Sequence, residues 1–282
     1  MTVPIPEFCS PGIDGVIDVT GDDTDQKRAT AASFDDHASS YVDSPVHRTG
    51  ADLECLASWC ADADRALDVA TGAGHAAGAL LEVGVDEIVA VDASPTMVTT
   101  ALEEYPGLRG TVADAERLPF VDDTFDAVTC RIAAHHFPNP DRFVAEVARV
   151  LAPGGTVALE DNVAPPEESL DDFLNEVERL RDPTHVRSHT ECEWRSWFAD
   201  AGLGVEETQL VKKTIEYEPW VRTLEVSPER RERLERRFAN PPSGAHELFD
   251  LEYDDEGVVR SFSSVKLLLR STPSTAEVTD PC

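Results

Sequence analysis

Lysine is nearly missing from this sequence. Only Lys27, Lys212, Lys213 and Lys266 occur among 24 basic residues, in a chain of 282 residues that carries 55 acids. The formal net charge is −31. A nucleic-acid partner needs a basic footprint that displaces counterions, and this composition offers no such surplus, so nucleic acid is set aside as a partner. Apolar runs are short as well: none approaches the ~20 residues that span a bilayer, and the acidic N-terminus lacks the basic start of a secretory leader. Cysteine is sparse and scattered (Cys9, Cys55, Cys60, Cys130, Cys192, Cys282). The spacing of Cys55 and Cys60 fits neither a CxxC redox pair nor a zinc knuckle, which leaves no metal expectation and points to reduced thiols. Heavy acid with little lysine is what a protein dissolved in molar salt carries, because a Debye length of about 3 Å screens its self-repulsion. A cytoplasmic, halophilic setting is therefore the expectation.

What the chain does contain is an apolar fraction of 41% and enough length for one large domain. Residues 1–30, rich in Asp, Gly, Pro and Thr without a period, read as a disordered acidic lead-in, and 271–282 as a tail. Residues 31–270 read as a single domain, with a core over about 65–161 and a substrate or lid region over about 162–257. Short apolar runs alternate with amphipathic stretches, the signature of an α/β domain with a parallel sheet. Strands are expected at Arg65–Ala70, Glu87–Val91, Gly110–Ala113, Phe125–Cys130, Thr156–Glu160, Val205–Lys213 and Val258–Leu269. Helices are expected over Gly50–Ala63, His75–Val83, Asp141–Val150 and Glu191–Ala201, with another opened by Ser94-Pro95, a cap followed by proline at the first helical position.

The chemistry concentrates after the first strand, at Leu67-Asp68-Val69-Ala70-Thr71-Gly72-Ala73-Gly74-His75. Glycines let a ligand approach the backbone, and a helix N-terminus presents free N–H groups. Asp92 closes the second strand, where a carboxylate can accept from both hydroxyls of a ribose. That much suits any nucleotide-binding crossover, including an NAD-dependent oxidoreductase of Rossmann type. Three details favour a cationic adenosyl ligand. The glycines read Gly72-x-Gly74-x-x-x-Gly78, one residue longer than the pyrophosphate cradle. Asp68 puts negative charge beside the turn. Asp114, in Ala113-Asp114-Ala115-Glu116, stands where an adenine amine could donate.

The ordered blocks LDVATGAGH, VDAS, ADAERLPF, FDAVTCRIAAHHF and RVLAPGG resemble the core of class I S-adenosylmethionine-dependent methyltransferases. Phe34-x-x-x-Ala38-x-x-Tyr41-x-x-Ser44-x-x-His47-x-x-Gly50 resembles the entry segment of the branch related to ubiquinone and menaquinone biosynthesis methyltransferases. The likeness covers roughly residues 33–200 and includes the run Leu180-Arg181-Asp182-Pro183-Thr184-His185-Val186-Arg187. It implies a Rossmann-like, seven-stranded, mostly parallel sheet with an antiparallel last strand and helices on both faces. It also implies S-adenosyl-L-methionine as cofactor and a small-molecule substrate, quinone-like or otherwise ring-bearing. Carried over, Ala70, Thr71, Gly72 and Gly74 would lie against the methionine part and Asp68 near its ammonium group. Asp92 would hold the ribose, Ala93 and Met97 would flank the adenine, and Asp114, Ala115 and Glu116 would line its edge. Arg131 and Ile132 would border the sulfonium.

His135 and His136 would sit at the mouth of the methyl pocket, where one of them could take a proton or simply pack beneath Phe137. Tyr41, His47, His185 and Arg187 are candidate substrate contacts. The Arg-rich stretch Ser227–Asn240 reads as a solvated helix with Glu229–Arg233 and Glu232–Arg236 pairs, or as a lid that attracts an anion. A dehydrogenase and a non-catalytic cofactor-binding regulator remain the alternatives to methyl transfer.

Overall fold

The computed structural model describes residues 23–42 and 48–274, with side chains outside 36–47. Helix α1 (Asp23–Val42) leads into α2 (Ala51–Ser58). Then β1 (Arg65–Val69), α3 (His75–Glu82), β2 (Glu87–Asp92), α4 (Pro95–Glu104), β3 (Arg109–Val112) and β4 (Phe125–Arg131) alternate. A 3-10 turn at Ala134–His136 precedes α5 (Pro140–Val150) and β5 (Leu151–Ala164). The chain continues through α6 (Glu168–Arg181), β6 (His189–Thr190), α7 (Glu191–Asp200) and β7 (Leu203–Glu216). It ends with α8 (Tyr217–Thr223), α9 (Pro228–Ala239), α10 (Ala245–Leu248), β8 (Glu252–Tyr253) and β9 (Val259–Pro273).

The main path of the sheet runs β3-β2-β1-β4-β5-β9-β7. Strands β1 to β5 are mutually parallel, and β9 is antiparallel to both β5 and β7. Two short strands off this path, β6 and β8, bring the sheet to nine rather than the expected seven. Each has only two residues, too few for a readable hydrophobic period. Strand order reverses between β1 and β4. There the carboxyl ends of neighbouring strands part into a crevice, the usual ligand position in such sheets.

Local chemistry fixes the element starts. Ser94 caps α4 by accepting from the Met97 amide, with Pro95 behind it. Thr190 and Glu193 form a reciprocal capping box on α7. Gly74, in the left-handed region at φ 87°, opens α3, and a Cβ there would stand 2.9 Å from Ala101 Cβ.

One face of the sheet packs under α5 and α7 through Phe143, Val147, Trp194 and Phe198, and the other under α2 to α4 through Leu56, Leu80 and Ala101. A separate apolar cluster joins α6, α8, α9 and β9 around Phe173, Tyr217, Phe238 and Phe262.

Several expectations need correction. The disordered lead-in cannot extend to residue 30, because Asp23–Thr30 is helical; residues 1–22 lie outside those described, as does the tail beyond 274. The segment has no hydrophobic period because its contacts are polar, notably from Lys27. Residues 271–273 belong to β9, whose pairing with β7 continues to Pro273. In α9 the intended i,i+4 pairs give way to Arg231 with Glu235 and Glu218, and Arg237 with Glu176 on α6. Leu234 and Phe238 turn the helix toward the apolar cluster, and this rotation sets which arginines meet which acids. Among the described residues, Cys55, Cys60 and Cys130 are free thiols.

Candidate active site

A cavity of about 450 Å³ opens over the carboxyl ends of β1, β2 and β4, roofed by α1. Its size is that of a small-ligand site. The residues just after β1 and β4, Ala70 at φ 54° and Ile132 at φ 53°, adopt the left-handed conformation on its wall. Such backbone persists only where surrounding structure over-determines it. Gly72, at φ 53°, has open space where a Cβ would project, so the backbone there is left bare toward a ligand.

Four acids line this cavity, Asp68, Asp92, Asp114 and Glu116, all near strand ends. Asp68 is buried and accepts from the hydroxyls of Thr71 and Thr129, each at 2.7 Å. Burial raises its carboxyl pKa, against the pull of those hydrogen bonds. Asp92 accepts from the amides of Gly72 and Ser94, each at 2.9 Å, which fixes its orientation and leaves further lone pairs for a ligand. Burial pushes its pKa up to about 6. Asp114 accepts from the Glu116 amide at 2.9 Å and from Lys27 at 2.8 Å. Glu116 also binds Lys27 at 2.6 Å, and takes the amide and side chain of Asn139.

Behind Ile132 lies a charged cluster set by strand register, because Arg131 pairs with Glu160 across β4 and β5. The Arg131 guanidinium donates to Glu160 at 2.5 Å and to Asp52 of α2 at 2.7 Å, and Lys213 closes on Asp52 from β7. Burial, with Asp52 beside it, pushes Glu160 up to about 7 although Arg131 opposes the shift. For Asp52, burial is outweighed by the hydrogen bonds from Glu160, Lys213 and Arg131, and its carboxyl is held below the usual range.

The cavity brings together most of the residues singled out from sequence: Asp68, Ala70, Thr71, Gly72, Asp92, Ala93, Met97, Asp114, Ala115, Glu116, Arg131, Ile132 and His136 line it. Gly74 does not; it packs against Ala101 and Tyr105. His135 is turned away from the cavity onto Asp161. His185 is buried and bonded to Asn175, and Arg187 is drawn onto Asp171, so neither reaches the cavity. His47 and the Tyr41 side chain lie outside the described residues. Among the described residues no cluster of His, Cys, Asp and Glu could hold a metal ion, and no helix is long and apolar enough to cross a membrane.

Sequence reasoning gave no site role to Thr24, Lys27, Arg28, Thr30 or Ala31 of α1, and named Phe34 only as part of the entry-segment motif. The available signal was Lys27 itself, the single lysine in the first 211 residues.

The methyltransferase domain family matches residues 67–159, the stretch from β1 to β5. The chain is 34% identical over 244 residues to YcgJ of Bacillus subtilis, an uncharacterized methyltransferase, covering 84% of this chain and 96% of YcgJ. The crystal structure of YcgJ superposes with a TM-score of 0.76 at 33% identity, over 80% of this chain and 99% of that one. BH2331 of Bacillus halodurans gives 0.76 at 35% identity, over 80% and 100%. A demethylmenaquinone methyltransferase of Beutenbergia cavernae is 36% identical over 103 residues, 36% of this chain and 42% of that protein. The residues present fit an adenosyl cation: anionic side chains at three strand ends, a bare glycine backbone between them, and room for a ligand of that size. The dehydrogenase alternative falls with these likenesses, and the chain belongs to the class I S-adenosylmethionine-dependent methyltransferases, enzymes that use S-adenosylmethionine as cofactor.

Proposed function

We propose that this enzyme methylates a small, apolar, ring-bearing acceptor of the quinol or phenol kind. The observation that carries this reading is the part of the cavity lined by α1 and the 3-10 turn, where Phe34, Ala31, Ala133, Phe137 and Pro138 present apolar groups beside His136 and the polar α1 residues Thr24, Lys27, Arg28 and Thr30. Apolar groups with a few placed polar ones are how a site binds a flat ring and fixes its orientation. The partial likeness to a demethylmenaquinone methyltransferase supports the same acceptor class.

In this reading Asp92 accepts from the ribose hydroxyls, Asp68 faces the ammonium end, and Asp114 with the Ala115 backbone meets the adenine edge. Ala93 and Met97 flank the base, and Arg131 and Ile132 border the sulfonium, which supplies an already activated methyl group. The protein's contribution is to hold the two partners aligned and to exclude water. Neither His185 nor Arg187 contacts the acceptor in this reading.

The experiment is a tritiated-methyl transfer assay with S-adenosylmethionine against ring quinols and phenols, with amino acids, single-stranded RNA and duplex DNA as controls. Label in the ring compounds alone is expected; label in RNA, DNA or amino acids alone would overturn the acceptor class. The net charge of −31 further supports a salt-rich cytoplasm as the working medium. Thermal midpoints at 0.1 M and 2 M KCl test that setting, and a midpoint that falls with salt would refute it.

A further inference from the structure

The two adjacent histidines have different surroundings, and the difference bears on the acceptor. His135 is committed inward. Its ring Nδ1 lies 2.6 Å from Asp161 Oδ1, its amide donates to Asp161 Oδ2 at 2.7 Å, and its carbonyl accepts from the Val186 and Arg187 amides. His136 lines the cavity. Its Nδ1 lies 3.0 Å from the Thr184 carbonyl oxygen. A carbonyl can only accept, so Nδ1 carries the proton and Nε2 is left with a lone pair. The Thr184 hydroxyl, 3.2 Å from Nδ1, donates at 2.7 Å to Asp182 and therefore accepts from His136 too. Nε2 makes no hydrogen bond to any described residue, and it is not among the buried polar atoms sealed from solvent.

We propose that His136 Nε2 is the proton acceptor of the active site, and that the methyl acceptor is therefore a neutral protic group, an O–H, N–H or S–H, rather than a pre-formed anion. This rests on the methyl-transfer reading above. The tautomer is imposed by the turn Asp182-Pro183-Thr184, the segment singled out in sequence without a role. The Thr184 amide and hydroxyl both bind Asp182, and its carbonyl also receives Gln26 of α1 at 2.9 Å.

The step balances. The acceptor atom forms its bond to the methyl carbon, the carbon–sulfur bond breaks with its electron pair passing to sulfur, and the acceptor's proton moves to Nε2. The site loses the sulfonium charge and gains an imidazolium, so its total charge is unchanged and the acids that favoured one cation favour the other. The proton leaves to water with the products. Groups facing the ring are His135 on the same turn, Asp161 on β5, and Asp182 and His185 from the loop after α6, while Lys27 and Arg28 of α1 line the same cavity. Burial, with His135 adding to it, lowers the His136 pKa to about 4 against the pull of Asp182 and Asp161, so the ring is neutral at pH 7, its Nε2 lone pair unprotonated.

The test uses the full chain and has a readout independent of turnover. Imidazole ¹⁵N spectra of the free protein, with His136 assigned by its loss in His136→Asn, should show a neutral ring protonated on Nδ1 across pH 6 to 8. A ring protonated on Nε2, or a cation at pH 7, overturns the proposal. Asparagine keeps a donor near the Nδ1 position and removes Nε2. His136→Asn should thus bind S-adenosylhomocysteine within threefold of wild type, yet transfer methyl to neutral phenols, thiols or amines about 10²-fold more slowly or worse. Transfer within threefold of wild type would overturn it, as would a wild type that binds S-adenosylhomocysteine but methylates none of these probes. A wild type that fails to bind S-adenosylhomocysteine would instead refute the methyl-transfer reading, and the spectra would still decide the state of His136.

Discussion

The floor and the roof of the cavity are built by opposite means. The floor is the parallel sheet: buried strands β1 and β4 are each followed by a left-handed residue, and β2 ends in Asp92, whose carboxylate is held by two backbone amides. The roof is α1, whose described polar contacts are made by its side chains: Lys27 on Asp114 and Glu116, Gln26 on the Thr184 carbonyl, Asp23 on Asn139 and Asp35 on Ser94. A floor made of backbone geometry and core packing keeps its shape in the absence of ligand. A roof made of partly exposed polar contacts has less apolar burial to hold it and opens at lower free energy.

The largest expected effect lies on the floor. Gly74→Ala would force a left-handed alanine whose Cβ stands 2.9 Å from Ala101 Cβ and 3.1 Å from Ala101 Cα. Strain and overpacking together should lower unfolding stability by about 2–4 kcal/mol in urea titration. An unchanged midpoint would mean that the β1–α3 turn is not rigid. Next, Asp92→Ala should weaken S-adenosylhomocysteine binding by at least about tenfold, on the order of 1.4 kcal/mol, measured by calorimetry.

The same residue gives the floor a pH signature. The folded pKa of Asp92, about 6, lies above its ordinary 3.8, so the carboxylate is ionised only above that value and its acceptor capacity is lost as pH falls through it. Ligand affinity should therefore decline below pH 6, and this decline should vanish in Asp92→Ala. For stability the sign is opposite to that of a salt-bridged acid. The protonated form is favoured by folding, so this group's contribution is greatest below pH 3.8 and is lost as pH rises toward 6 and above.

The smallest effect belongs to the roof. Lys27→Ala should change global stability by about 1 kcal/mol, because Lys27 and Asp114 keep some access to water, 19% and 16% exposed, that resolvates the acid once the lysine is gone. Amide exchange in α1 should nevertheless accelerate about tenfold relative to β1. Equal acceleration in both would erase the contrast between floor and roof.

The floor was legible in the sequence because its chemistry is local. The glycine turn, Asp92 at a strand end and Ser94-Pro95 at a helix start are each read within a few residues, and register then brings them together. The roof was not legible. Lys27 meets Asp114 and Glu116 across 87 and 89 residues, through a helix with no apolar period to announce it. The same reason hid α6, whose polar faces mask Phe173 and Leu174, and left Asp52 unnoticed until Arg131 and Lys213 converged on it. The histidine pair was visible as a pair. Which ring faces the cavity is decided by Asp161 and Thr184, remote partners that no local pattern reveals.

The most direct test of the account is a crystal structure with S-adenosylhomocysteine. The account predicts ribose hydroxyls within hydrogen-bonding distance of Asp92 and the adenine amine against Asp114, with Lys27 sharing or leaving that carboxylate. A ligand seated elsewhere, or one whose ribose lies away from Asp92, would contradict it.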